Sequence, residues 1–251
     1  MKRVITLLLL CVVAGCASGR DKQPQFGKAD PAAYHYQMGI SYLDEENYTK
    51  ALFELTEAEK HDPDNPELLY KLALAYVGKK RPDLAIPKYQ KALQIKPSFT
   101  TARNDLGVAF IELKRWDDAV QQFKIVKDDL FYENNENATI NLGLAYLGKG
   151  DYPKALEELR AISIVNPRNP LTRLSLGRTL FAMDKTELAI VEYKRAIELY
   201  KDFGAAYYYL GLAYLKLNKK DDARNAFREA VRLMPDTDPG RSALEYLDLL
   251  K

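Results

Sequence analysis

The sequence predicts an all-α solenoid in which six helix-turn-helix units stack and a C-terminal helix caps the last. Two observations carry this. Ala51, Ala85, Ala119, Ala155, Ala189 and Ala223 recur at intervals of 34, 34, 36, 34 and 34 residues. Helical units of this length cannot bury their apolar faces singly, so neighbours stack into one continuous core. Twelve residues before each alanine stands Gly39, Ala73, Gly107, Gly143, Gly177 or Gly211, and seven after it stands Ala58, Ala92, Val126, Ile162, Ala196 or Ala230. Small side chains at these positions bring paired helices to the short end of the roughly 8–10 Å packing range. Leu72, Leu106, Leu142, Leu176 and Leu210 fill the space beside them.

The units follow in chain order. The first covers residues 32–63 and the second 66–97, ending in Pro63 and Pro97, whose fixed φ and missing N–H stop the second helix. The third, 100–129, precedes the one lengthened interval, and Phe131 stands where proline would. The fourth, 136–167, and the sixth, 204–235, end in Pro167 and Pro235; the fifth, 170–200, runs into Lys201. Residues 238–251 form the cap, a helix near 241–250 that docks Leu244, Leu247 and Leu250 on the last unit. These six in-phase copies resemble the tetratricopeptide repeat (TPR) family across residues 32–237. The resemblance implies a right-handed superhelix that works through a surface rather than a pocket.

The N-terminus is a separate element. Lys2 and Arg3 precede a largely apolar run from Val4 to Ala14, which predicts a signal peptide over residues 1–15. The run falls short of the about 20 residues a spanning helix needs. Val13-Ala14-Gly15-Cys16 resembles the lipobox of bacterial lipoproteins, which implies diacylation of Cys16 after cleavage. The competing reading is an ordinary secretory leader in which Cys16 is incidental. Two or three acyl chains anchor stably where one binds marginally. Residues 16–31, with Pro24, Pro31, Gly19 and Gly27 and little to bury, read as a lipidated flexible tether. Ala17 is not the aspartate that the lipoprotein family uses for inner-membrane retention, so the resemblance implies the periplasmic face of the outer membrane.

Charge and chemistry narrow the function classes. Loss of residues 1–15 leaves 35 basic against 35 acidic residues and a single cysteine, itself modified. A neutral chain carries no electrostatic footprint for nucleic acid, and no structural disulfide is available. His35 and His61, the only histidines, have no cysteine or carboxylate cluster at metal-ligand spacing. Asp44-Glu45-Glu46, Asp117-Asp118 and Asp221-Asp222 fall near inter-helix turns, where acids favour the next helix N-terminus. No base or nucleophile accompanies them. The expectation is a non-enzyme with no catalytic residue, metal, cofactor or small-molecule substrate, and a protein partner. Asn47-Tyr48-Thr49 matches a glycosylation sequon and has no meaning without a dedicated bacterial system.

The partner surface is read from the first helix of each unit. One side of that helix, distinct from the side bearing the small contact residues, lines the concave groove in the TPR family. Here it carries Tyr36, Ile40, Leu43, Tyr70, Leu74, Val77, Val108 and Ile111 in the first three units. Ile140, Leu144, Leu147, Leu174, Phe181, Tyr208, Leu212 and Leu215 continue it in the last three. Contact between adjacent first helices accounts for about half of these, since apolar residues at helical spacing are usually core. The groove is apolar, with Asn104 and Asn141 the nearest approach to the carboxylate clamp seen in chaperone-binding relatives. It suits an amphipathic helix or an extended apolar segment.

Taken together, the lipobox, length, six repeats and the two-residue expansion resemble the outer-membrane lipoprotein pilotin family of type IV pilus systems (PilF/PilW). The residues are Asn104 to Gly107, Asp129-Leu130-Phe131-Tyr132 and Asn141-Leu142-Gly143. The chain departs from that pattern in lacking its second asparagine, the cysteine of the third first-helix and the proline of its Asp-Pro-Leu-Tyr stretch. The resemblance implies binding of pilus secretin subunits, their carriage to the outer membrane and their multimerisation. A general periplasmic scaffold for cell-wall enzymes or exopolysaccharide export is the alternative.

Overall fold

The computed structural model describes residues 30–250. The expected signal peptide, Cys16 and the tether up to residue 29 lie outside the described residues. The first unit is α1 (Pro31–Asp44) with α2 (Tyr48–His61), the second α3 (Pro66–Gly78) with α4 (Pro82–Ile95), and the third α5 (Thr100–Glu112) with α6 (Trp116–Lys127). The fourth is α7 (Asn135–Lys149) with α8 (Tyr152–Val165), the fifth α9 (Pro170–Ala182) with α10 (Thr186–Leu199), and the sixth α11 (Gly204–Lys216) with α12 (Lys220–Leu233). The last helix is α13 (Asp238–Leu249). The described residues contain no strand, and none of their helices is long and apolar enough to cross a membrane. Each helix packs on the next, and first helices also touch the first helix of the following unit, as α5 does α7 and α7 does α9.

The close approach within each unit has a fixed register. A side-chain carbon placed on Gly107 would stand 2.7 Å from the Phe123 ring, and one on Gly143 would stand 2.7 Å from Leu159. The same pairing joins Gly39 to Leu55, Gly177 to Tyr193 and Gly211 to Phe227. In every case the large residue lies sixteen positions after the glycine, on the second helix. All six marker alanines have no exposed surface. Of the second small set, Ile162 departs: it is half-buried, whereas Ala58, Ala92, Val126, Ala196 and Ala230 are buried.

The turn inside each unit is a single motif used six times. Glu46, Lys80, Lys114, Gly150, Asp184 and Asn218 all have positive φ, between 56° and 84°. The next residue donates its N–H to the carbonyl five residues back: Arg81 to Tyr76 at 2.9 Å, Arg115 to Phe110 at 2.8 Å, Lys219 to Tyr214 at 2.9 Å. This is the Schellman closure, which satisfies carbonyls left open at a helix end. Only at Gly150 does the residue lack the steric penalty of that conformation.

The lengthened joint and the cap differ from the sequence expectation. α6 stops at Lys127, short of 129, because the Asn135 side chain donates to the carbonyls of Lys127 at 2.9 Å and Asp129 at 3.2 Å. Asp129 accepts from the Phe131 N–H at 3.0 Å and from the Thr100 hydroxyl, which pins the turn while Leu130 and Phe131 face solvent. In α13, Leu244 is 52 % exposed and does not dock. The docking stripe is Ala243, Tyr246, Leu247 and Leu250, spaced three and four apart, and Leu244 sits about 100° off it. Tyr246 stacks on Phe227 with centroids 5.0 Å apart and planes 9° from parallel.

Overpacking the close contact tests this register. Ala119→Leu forces a larger side chain into a site with no exposed surface and is expected to cost about 1–3 kcal/mol. Chemical denaturation reads the cost as a lower midpoint; an unchanged midpoint would place Ala119 elsewhere.

Candidate partner-binding groove

The groove positions of the first three units are neither core nor free surface. Tyr36, Ile40, Leu43, Tyr70, Leu74, Val77, Val108 and Ile111 are all half-buried. Tyr36 and Leu43 lean on the core shared by the first and second units, while Tyr70, Val77, Val108 and Ile111 lean on the core shared by the second to fourth. Such residues hold one flank in the protein and offer the other, which is the geometry of an apolar contact surface. In the later units the surface is less complete. Leu144, Leu147, Phe181, Tyr208, Leu212 and Leu215 are half-buried, but Ile140 and Leu174 belong to the core. Both of these are used up between neighbouring first helices.

A polar cluster interrupts the apolar run between the second and third units. The Tyr70 hydroxyl donates to Asp105 at 2.9 Å, and the Asn104 amide donates to the same carboxylate at 3.1 Å. The Tyr70 ring also packs at 5.0 Å from Phe99 and 6.0 Å from Tyr89, so its position is fixed from three sides. Burial raises the Asp105 carboxyl above the ordinary aspartate value, against the two donors, which lower it. Burial, then the Asp105 charge, pushes the Tyr70 hydroxyl far up. Tyr132, from the lengthened joint, is raised by burial and then by Asp105 as well. Tyr36 is raised by burial and then by Glu67.

This cluster answers the clamp question. Asn104 spends its amide donor on Asp105, and its own Oδ1 is buried without a hydrogen-bond partner. The groove therefore offers acceptors here rather than donors. A carboxylate is repelled, while a segment bringing N–H groups or a cation meets a half-satisfied carboxylate. Sequence reasoning passed over Asp105. Its signal was present: it stands 35 residues after Tyr70, one period and one residue on.

The histidines are accounted for structurally. His35 Nδ1 lies 2.7 Å from Glu54 Oε2 across the first unit, and His61 is exposed at the end of α2. No three His, Cys, Asp or Glu side chains among the described residues are grouped to hold a metal ion.

Patterns described as tetratricopeptide repeat match residues 36–98, 140–193, 76–129 and 204–237, and one described as TPR repeat matches 177–218. The chain is 25% identical over 184 residues to the type IV pilus assembly protein PilF of Pseudomonas aeruginosa, covering 72% of this chain and 73% of that one. The crystal structure of PilW, a type IV pilus biogenesis factor, superposes with a TM-score of 0.72 at 20% identity, over 85% of this chain and 98% of the other. Human DnaJ homolog subfamily C member 3 is also 25% identical, over 230 residues, 86% of this chain but 45% of its own length.

The pH dependence of folding tests the Asp105 assignment. A carboxyl whose folded-state value is raised stabilises the fold fully below its unfolded value, and that contribution is lost as pH rises through the folded value. Asp105→Asn removes the loss while keeping an oxygen for Tyr70. The variant is expected to unfold at a higher temperature than the parent at pH 7, with the gap closing below pH ~4, near the unfolded aspartate value. An equal gap at both pH values would remove Asp105 from the buried site.

Proposed function

We propose that this chain, which belongs to the tetratricopeptide repeat family, is a lipid-anchored pilotin that captures pilus secretin subunits and assists their outer-membrane targeting and multimerisation. The chain is a repeat scaffold for protein–protein contact, of a family that is generally non-catalytic. The observation that carries this reading is the run of half-buried apolar side chains from Tyr36 to Ile111, interrupted near its middle by the Tyr70–Asp105 pair. Likeness to PilF over most of both chains supports the pilus as the setting. Lipidation at Cys16 would confine the groove to the periplasmic face of the outer membrane. A bound client then meets its neighbours at raised effective concentration, so that modest affinity suffices to direct assembly.

The partner segment fits as an apolar strip with donors near its middle. Aromatic anchors such as Tyr70 bury large area at small rotamer cost and tend to dominate such interfaces. Leu74→Glu places a charge among the groove residues one helical turn from Tyr70 and next to an acceptor-rich site. Secretin pull-down is expected to fall by at least about tenfold, the scale of a lost anchor, with thermal unfolding little changed. A stable Leu74→Glu protein that still captures secretin would move the site away from the second unit. If both binding and stability fall, the side chain is packing between helices instead.

Anchoring is tested separately. Cys16→Ser is expected to give a soluble or unprocessed protein whose repeat domain still folds, read by membrane fractionation and circular dichroism. A variant that remains processed and integrally held would refute lipidation. The alternative scaffold reading is separated by gene neighbourhood, with secretin and pilus genes favouring one and peptidoglycan or polysaccharide genes the other.

A further inference from the structure

The outer side of the fifth unit carries a cleft whose lining differs from that of the matching cleft over the third. Each first helix bears a ring three residues after its small contact residue: Tyr42, Tyr76, Phe110, Tyr146 and Tyr214. The fifth has Leu180. Eight residues after the ring, lysine caps it in two units, Lys50 over Tyr42 at 5.1 Å and Lys154 over Tyr146 at 5.6 Å. The corresponding residue in the fifth unit is Leu188, 54 % exposed. On the facing wall, Ser163 of α8 stands where α4 has Leu93 and α10 has Ile197. A cleft of about 300 Å³ lies between α8 and α10, floored by Leu176 and Leu180 of α9 and lined also by Ser163 and Leu188.

The rim of this cleft is cationic. Arg173 meets Glu192 at 3.2 Å and Arg195 meets the same carboxylate at 2.7 Å. Arg160, across the cleft, makes no ion pair with a described residue. Three guanidinium groups thus surround one carboxylate. The matching cleft between α4 and α6 has Gln90, Gln94 and Gln122 around a single Arg103, and no such excess.

We propose that the α8–α10 cleft is a second binding site, which takes one bulky apolar side chain of a partner protein with a carboxylate beside it. The leucine floor of the cleft receives the apolar group, and Arg160 with Arg195 receives the acid. On α9 the floor residues Leu176 and Leu180 lie about 100–160° around the helix from Leu174 and Phe181, so the cleft is separate from the concave groove. Its ligand is also opposite in charge to the segment that Asp105 favours.

The test uses the full chain and a short fluorescein-labelled helical peptide carrying one phenylalanine, with a glutamate one turn to either side. Fluorescence polarisation should show binding that is lost when the peptide's phenylalanine becomes alanine or its glutamates become lysines. Leu180→Phe restores the ring found in the other units and should weaken binding at least about tenfold with thermal unfolding unchanged. Arg160→Glu with Arg195→Glu should reverse the preference towards the lysine peptide. Leu74→Glu should leave peptide binding as it is. Should Leu180→Phe misfold, Ser163→Leu serves as the filling variant. Equal binding of the glutamate and lysine peptides, or undiminished binding by the filled cleft, would overturn the proposal. So would concentration-dependent self-association abolished by Leu180→Phe, since the occupant would then be a second copy of the chain.

Discussion

Everything in this molecule depends on how near two helices of a unit can come. Where Gly107 faces Phe123, or Gly143 faces Leu159, there is no room for even one carbon more. That approach lets a large residue of the second helix lie across the first helix backbone, and it fixes the rotation of both helices about their axes. Once the rotation is set, the leucines beside the small residue can only point to the neighbouring unit. Stacking is then the sole way to remove them from water. The inter-unit ion pairs are additions to this. Lys88 with Glu59 and Lys127 with Glu158 cross from unit to unit at 2.6 Å each, but partly exposed pairs of this kind contribute at most about 1 kcal/mol each.

The same constraint makes the groove. A helix held by its small face on one side and by a neighbouring first helix on another still has a flank with no intramolecular partner. In the first three units that flank is apolar and half-buried, and the chain invests a buried carboxylate there, held by Tyr70 and Asn104. No ion pair with Asp105 offsets its burial, so the site is less stable than an amide or apolar replacement would make it. Strain or cost that the fold does not need is commonly found where a protein binds. The lengthened joint adds to this end of the groove, because its Tyr132 lies close enough to feel the Asp105 charge.

Much of this was legible in the sequence, and the reasons differ by residue. The period of the alanines determined the units, because a packing contact repeated in register leaves the same residue type at the same interval. The six positive-φ turns obey that interval too, but five of them use Glu, Lys, Asp or Asn, so composition hides what the period would have revealed. Leu244 was misjudged by one position in the helical turn, and Ile140 and Leu174 looked identical in sequence to the groove residues that stayed half-buried. Whether an apolar side chain at a groove position is consumed depends on its neighbours from the next unit, which periodicity alone does not supply. Asp105 was missed for the reverse reason: a single acid on a helix reads as solvated, and only the arrival of Tyr70 from the preceding unit makes it buried.

A repeat array also makes its exceptions informative. When five units agree on a ring and one omits it, the loss of packing must either be refilled locally or left open. Around Leu180 the leucine itself stays in the core, 6 % exposed, and with Ser163 and Leu188 it lines a cleft on the outer side. The arginines at its rim then leave an excess of positive charge next to exposed leucine, on the face away from the groove. The two surfaces thus select by opposite rules: donors and apolar groups inside, acids and apolar groups outside. A solenoid whose two faces differ in this way can hold one partner in its groove and meet a second on its back without the two competing for the same chemistry.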